Sequence, residues 1–332
     1  MGKTAATLRR EMMDNLLATY IELFVSTKKT EGLASKTTDW YSSILTKFDE
    51  YLDHPKLSQV SINEAREFIA SLQQRTTRYN GHPKHPVREG GLSVYTVAGY
   101  VRTLKVFGKW LEEESYSKVS PFAKLKRPKL PETLIEVLSD QEIERIAAAI
   151  NPRTVIGARV NAIFLLMLDT GIRASELCTL RMDWLNLTQG SMKVTGKGNK
   201  ERIVYFASDA TKALLFYINT ARDDRTNCPY VFLTENGEPL TYNALKLIFV
   251  RLARKAQVDR LHPHLLRHSF AVRYLIQSKG DVVGLQRKLG HTDITTTQIY
   301  LHLSQQYDRS QAQEFSVVDA LALGKRRRRK AA

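Results

Sequence analysis

Residues 120–134, SPFAKLKRPKLPETL, carry three prolines and four basic side chains in fifteen positions. Proline fixes its own φ, lacks a backbone donor and drives the preceding residue out of the α region, so no helix runs through this stretch. A chain of 332 residues interrupted in this way is expected to fold as two bodies joined by an extended basic connector. The boundary is placed near residue 130. The expected divisions are a helical domain over 1–118, the connector over 119–137, a second domain over 138–324 and a basic tail over 325–332.

Ahead of the connector, apolar residues recur at helical spacing. Leu17, Tyr20, Ile21 and Phe24 form one stripe, Trp40, Ile44, Phe48 and Tyr51 a second, and Val97, Tyr100, Leu104, Phe107 and Leu111 another. Ser61 and Glu64 have the spacing of a capping box before Phe68, Ile69 and Leu72. Four helices are therefore expected up to about Glu114. Between the third and fourth, TTRYNGHPKHPVREGG is too polar and too broken for a regular element, and a surface loop over 75–92 is expected. His82 and His85 lie in it without further ligands, which favours a solvated loop over a zinc site.

Beyond the connector, Ser139 and Glu142 form a second capping box. SMKVTG and RIVYF flank GKGNKE as a hairpin, and segments near 161–169, 209–221, 242–256, 264–278 and 282–289 read as helices. The expected fold class is mainly α with a small antiparallel β-sheet.

The net charge of +16 and pI near 9.7 call for a polyanionic partner, without choosing among DNA, RNA and anionic lipid. No apolar run approaches the roughly 20 residues that span a bilayer, and the first residues lack a signal-peptide core. A cytoplasmic, nucleoid-associated protein without membrane contact is expected. Cys178 and Cys228 stand alone and read as structural thiols in a reducing compartment. The terminal KRRRRK reads as general affinity for nucleic acid.

Four local patterns bear on chemistry. In TGIRASEL, Arg173 opens a helix and Glu176 follows three residues on, a spacing that alone fits a surface ion pair. In GKGNK, Lys197 projects from a hairpin tip; the spacing is not that of a P-loop. In HPHLLRH, His264 and Arg267 share a face at a helix start, where phosphate oxygens can bind. His264 and His268 could alternatively hold a metal, but no carboxylate accompanies them and Arg267 opposes a cation. Finally, Leu289-Gly290-His291-Thr292 precedes Tyr300; taken singly, His291 reads as a helix-terminal residue and Tyr300 as a packing residue.

Taken together, Arg173, Lys197, His264, Arg267, His291 and Tyr300 resemble, in order and spacing, the active-site signature of the tyrosine recombinase (phage integrase) family. TGIRASEL, GKGNKER, HPHLLRHSFA and LGHTDITTTQIY are very close to the corresponding texts of its Xer-type bacterial members. The resemblance implies a four-helix core-binding domain and an α+β catalytic domain forming a clamp around DNA. It implies Tyr300 as the nucleophile, Arg173 and Arg267 as the phosphate clamp, and His264 as acid/base. His291 would bond the phosphate, Lys197 would protonate the leaving 5′-oxygen, and Glu176 would support the cluster.

The implied activity is site-specific recombination through a 3′-phosphotyrosine, without metal, ATP or cofactor. It would proceed in a tetramer on two duplexes with inverted-repeat core sites, for a mobile element or for dimer resolution. Phe315, Val318, Leu321 and Leu323 form an apolar stripe at helical spacing that could pack on its own domain; the resemblance implies instead that it docks into a neighbouring protomer. A type IB topoisomerase, a telomere resolvase and a catalytically idle DNA-binding protein are the competing readings.

Overall fold

The computed structural model describes residues 15–78, 86–131, 135–196, 200–222 and 227–301. The chain divides into two compact units, Met1–Thr133 and Leu134–Ala332. The fold is mainly helical, with two small antiparallel sheets among the described residues. No helix among them is long and apolar enough to cross a membrane.

The first unit is built on α1 (Leu17–Thr30), α2 (Ser35–Tyr51), α3 (Ile62–Gln74) and α4 (Val94–Glu113). Their apolar stripes converge on an aromatic core in which Phe24, Phe48, Phe68 and Phe107 are fully buried. Phe24 meets Phe107 edge-on at 5.4 Å between centroids, the geometry favoured by the ring quadrupole. Trp40 and Tyr51 end their stripe at the surface, each about two-fifths exposed. The Ser61 capping box forms as the spacing requires: the Ser61 backbone N–H donates to Glu64 Oε2 at 2.8 Å, and Ser61 Oγ accepts from Asn63 N at 3.1 Å.

Two expectations are corrected in this unit. The 75–92 segment is not all loop: β1 (Thr77–Arg78) pairs antiparallel with β2 (Arg88–Glu89), and Arg78 Nε donates to the Gly90 carbonyl at 3.1 Å. His82 and His85 lie outside the described residues. The connector is not extended from its start either. Phe122 and Leu125 are buried in the first unit's core, with Phe122 edge-on to Phe48 at 5.7 Å. Their spacing of three lets one turn bury both side chains and remove their apolar surface from water.

The second unit surrounds α6 (Val155–Thr170), whose Ala162, Ile163, Phe164, Leu166 and Met167 are buried. This helix starts earlier than its apolar pattern suggests because Thr154 Oγ1 caps it, accepting from Gly157 N at 3.0 Å. Around it lie α5 (Asp140–Ala148), α7 (Ala174–Cys178), α8 (Ser208–Thr220), α9 (Tyr242–Ala256), α10 (Pro263–Gln277), α11 (Val282–Leu289) and α12 (Thr295–Gln298). The sheet runs β3 (Leu185–Asn186), β4 (Ser191–Thr195), β5 (Glu201–Tyr205), with Met192 opposite Val204. Met192, Val194 and Val204 face the core while Ile203 and Tyr205 are exposed. A smaller cluster of Ala271, Val272, Leu275, Leu285, Leu289 and Tyr300 lies between α10 and α11. The stripe at Phe315, Val318, Leu321 and Leu323 and the basic tail lie outside the described residues.

Because Phe122 completes the first core, Phe122→Ala should lower stability by about 3–5 kcal/mol. The urea midpoint followed by circular dichroism measures this. A loss below about 1 kcal/mol would mean that the turn is not packed.

Candidate active site

The site grows from the ends of three helices. Helix α6 stops at Gly171 (φ 61°) and α11 at Gly290 (φ 65°), both in the left-handed region that glycine adopts without steric cost. Their last carbonyls lie where helix dipoles concentrate negative charge. Arg267, on the second turn of α10, fills the space between them. Its Nη1 donates to the Gly171 carbonyl at 2.6 Å, and its Nη2 donates to the Leu289 carbonyl at 2.9 Å and to His291 Nε2 at 2.8 Å.

Since a guanidinium can only donate, His291 Nε2 is an acceptor and Nδ1 carries the proton. Nδ1 then donates to Thr297 Oγ1 at 2.9 Å. Burial first, then Arg267 and Arg173, push the His291 pKa down to about 4, consistent with a neutral ring. Arg267 itself is pulled down to about 10 by burial and by Arg173, and stays charged at neutral pH.

Glu176 organises the other half. It is 2% exposed and accepts from two guanidinium groups. Arg202 reaches it in a two-pronged contact, Nη1 to Oε1 at 2.7 Å and Nη2 to Oε2 at 3.0 Å. Arg173 Nη1 donates to Oε1 at 2.9 Å and the Arg173 backbone N–H to Oε2 at 2.8 Å. Arg173 Nη2 also donates to the Gly290 carbonyl at 3.1 Å. Burial alone would raise the Glu176 pKa; the hydrogen bonds and charges of Arg202 and Arg173 outweigh it and hold the carboxyl below the usual carboxylate range. Three guanidinium groups against one carboxylate leave an excess of two positive charges, a site that suits a phosphate.

Of the residues singled out from sequence, Arg173, Glu176, Arg267 and His291 thus meet in one bonded cluster. His264 lies on the first turn of α10 with an exposed edge; partial burial, Arg267 and Arg173 lower its pKa. Lys197 lies outside the described residues. The base of its hairpin does not: Gly196 N–H donates to the Lys200 carbonyl at 2.8 Å, and a side chain at Gly196 would begin 3.4 Å from Glu176 Oε1. The hairpin therefore springs directly from the arginine cluster.

Tyr300 is 2% exposed, and burial raises its phenol above the usual pKa of 10 against the opposing charges of Arg267 and Arg173. Its hydroxyl lies 2.8 Å from Nδ1 of His268, not from His264.

The site also holds Arg202 and His268, which the sequence pattern does not assign to it. Arg202, five residues after Lys197, reads in sequence as part of a strand, and a charged residue leading that strand is the one signal that points to it. His268, one helical turn from His264, reads in sequence only as an alternative metal ligand. Among the described residues no group of acidic, histidine and cysteine side chains is arranged to hold a metal.

Comparison with known proteins agrees with this geometry. The model of the phage integrase family matches residues 136–307. Tyrosine recombinase XerD of Staphylococcus saprophyticus is 32% identical over 307 residues, 91% of this chain and 99% of that protein. Tyrosine recombinase XerC of Bacillus pumilus is 36% identical over 224 residues, 65% of this chain and 73% of that protein. Among solved structures, the Tn1549 transposon integrase in complex with transposon right end DNA matches with a TM-score of 0.68 at 18% identity, over 90% of this chain and 99% of that one. XerH bound to palindromic difH substrate, a post-cleavage complex, matches with a TM-score of 0.64 at 21% identity, over 86% and 82%. At these identities the structural likeness concerns the fold.

Fold and sequence together define a tyrosine site-specific recombinase, an enzyme of DNA recombination. The chain belongs to the phage integrase family.

His268 and His291 both titrate at about 4 in the fold, against 6.5 for an unperturbed imidazole. Between these values the unfolded chain binds more protons, so their contribution to stability is complete above pH 6.5 and is lost as pH falls toward 4. The urea midpoint should therefore drop over that window, and less steeply in His291→Asn than in the wild type. Equal slopes would contradict the neutral, desolvated ring.

Proposed function

We propose that this enzyme cleaves DNA at a specific site by attack of the Tyr300 hydroxyl on a phosphodiester held by Arg173 and Arg267. The Tyr300 Oη–P bond forms and the P–O5′ bond breaks, leaving a 3′-phosphotyrosine. The phenol loses its proton to His264, and the leaving 5′-oxygen takes one from Lys197. A 5′-hydroxyl from a partner strand then reverses the step and joins the strands. The energy of the broken bond is kept in the phosphotyrosine, so neither ATP nor a metal ion enters the scheme.

The observation that carries this reading is the buried cluster with its positive excess, within the electrostatic reach of Tyr300. Charge growing on the non-bridging oxygens in the transition state would meet guanidinium donors whose positions are already fixed. Arg173 and Arg267 already spend donors on backbone carbonyls and on Glu176 or His291, so their forks are oriented before any DNA arrives. Deleting one comparable donor costs about 3–4 kcal/mol of transition-state stabilisation in other enzymes. His264, with a lowered pKa and an exposed edge, is a neutral acceptor at pH 7. His291 leaves Arg267, moves its proton from Nδ1 to Nε2 and donates Nε2–H to the phosphate, and Glu176 holds Arg173.

In the proposed assembly the helical domain over 1–118 and the catalytic domain over 138–324 clamp double-stranded DNA, joined by the connector at 119–137. Four protomers bring together two duplexes with inverted-repeat core sites, and the segment with Phe315, Val318, Leu321 and Leu323 links neighbours cyclically. Similarity to XerD along 91% of the chain supports recombination over relaxation or end closure. The reaction then serves integration and excision of a mobile element or the resolution of dimers, on DNA in the bacterial nucleoid.

Tyr300→Phe should bind its DNA site and form no covalent complex, since only the hydroxyl is lost. A nicked substrate run on a denaturing gel checks this; a covalent band at wild-type yield from the variant would end the assignment.

A further inference from the structure

Tyr300 is well placed electrostatically but badly placed sterically. A residue 2% exposed, packed against Leu275, Leu285 and Leu289, offers no hydroxyl to a DNA phosphate. The segment that bears it is otherwise lightly held. Between Thr292 and Leu301 only Thr297 and Tyr300 are buried. Each is tethered through its hydroxyl to a histidine: Thr297 to His291 at 2.9 Å, and Tyr300 to His268 at 2.8 Å with ring centroids 5.6 Å apart. No hydrogen bond among the described residues joins the Tyr300 hydroxyl to Arg173, Arg267, His264 or His291.

We propose that His268 is a positioning residue that keeps the nucleophile seated in this apolar pocket in the DNA-free enzyme. The phenol must break its bond to His268 to reach a phosphate in the arginine cluster. This inference rests on the reading of Tyr300 as the nucleophile.

A buried phenolic hydroxyl needs a partner, and His268 is the partner it has; without it, seating Tyr300 would strand a polar group in an apolar pocket. The neighbouring cations Arg173 and Arg267 favour an ionised phenol, while the pocket and the uncharged His268 ring favour the neutral, unreactive one. His268 also sits next to the clamp in sequence. His268 follows Arg267 on α10, so the helix that fixes the phosphate donor also fixes the seat of the nucleophile.

Losing a single buried hydrogen bond shifts such an equilibrium by about two- to tenfold. The test uses full-length protein with His268→Leu, which keeps an apolar side chain and loses the bond, and His268→Asn, which keeps a hydrogen-bonding group near the Nδ1 position. In DNA-free protein, acetylation of Tyr300 by N-acetylimidazole is followed by peptide mass spectrometry, with buried Tyr217 as the internal reference. Single-turnover covalent attachment to a nicked substrate is measured in parallel.

His268→Leu should accelerate both Tyr300 acetylation and covalent attachment by about two- to tenfold, with Tyr217 unchanged and His268→Asn close to wild type. Unchanged acetylation in His268→Leu would overturn the proposal. So would slower attachment with loss of one limb of the pH–rate profile, which would make His268 a proton acceptor in the reaction. A readout independent of the stability of His268→Leu is the imidazole ¹⁵N signal of His268, which should move in Tyr300→Phe; no movement would also overturn it. If Tyr300→Phe still attaches to DNA, the functional reading fails; if attachment is lost but these outcomes are not met, only the role of His268 fails.

Discussion

The second unit depends on keeping three guanidinium groups together in a largely buried space. Arg173, Arg202 and Arg267 would repel one another if nothing opposed them, and the fold opposes them in two ways. Glu176 places a full negative charge between Arg173 and Arg202, bonded to both. The C-terminal carbonyls of α6 and α11 place partial negative charge on Arg267, with Gly290 contributing its carbonyl to Arg173. Breaking a buried ion pair by removing one partner typically costs about 3–5 kcal/mol, because the remaining charge is left uncompensated. The compensation is nevertheless incomplete, and the remaining positive excess is what a phosphate would neutralise.

That arrangement explains the surrounding architecture. Helices α6 and α11 must end within reach of one side chain, which fixes where their glycines stand. A side chain at Gly290 would begin 2.9 Å from the Arg202 guanidinium, so the left-handed turn and the close approach are demanded at the same residue. Arg202 joins the sheet to this corner, since its Nε also donates to the Lys288 carbonyl at 3.1 Å. The strand leading away from the Lys197 hairpin is thereby bonded to the same carboxylate that orients Arg173. His268 extends the order one residue further along α10, to Tyr300.

Much of this was legible in the sequence because it rests on local rules. The helical stripes and the Ser61 and Ser139 capping boxes depend on residues within one or two turns of each other, and they form where the spacing puts them. The six-residue signature names Arg173, Arg267 and His291 together, and these three stand in one corner although they are far apart along the chain. What the sequence concealed is non-local. Phe122 and Leu125 look like connector until the first core is there to receive them. Arg202 looks like the solvent-facing residue of a strand until Glu176 stands opposite. His268 could be weighed only against its neighbour one turn away, whereas its partner lies 32 residues on.

If the charged corner is a phosphoryl-transfer site served by Tyr300, the covalent bond to DNA must form there. The enzyme is trapped on a nicked duplex, both components are digested and the linkage is located by mass spectrometry. The expected result is a single adduct, a 3′-phosphate esterified to the Tyr300 oxygen. An adduct on any other residue, or a linkage to a 5′-phosphate, would contradict it.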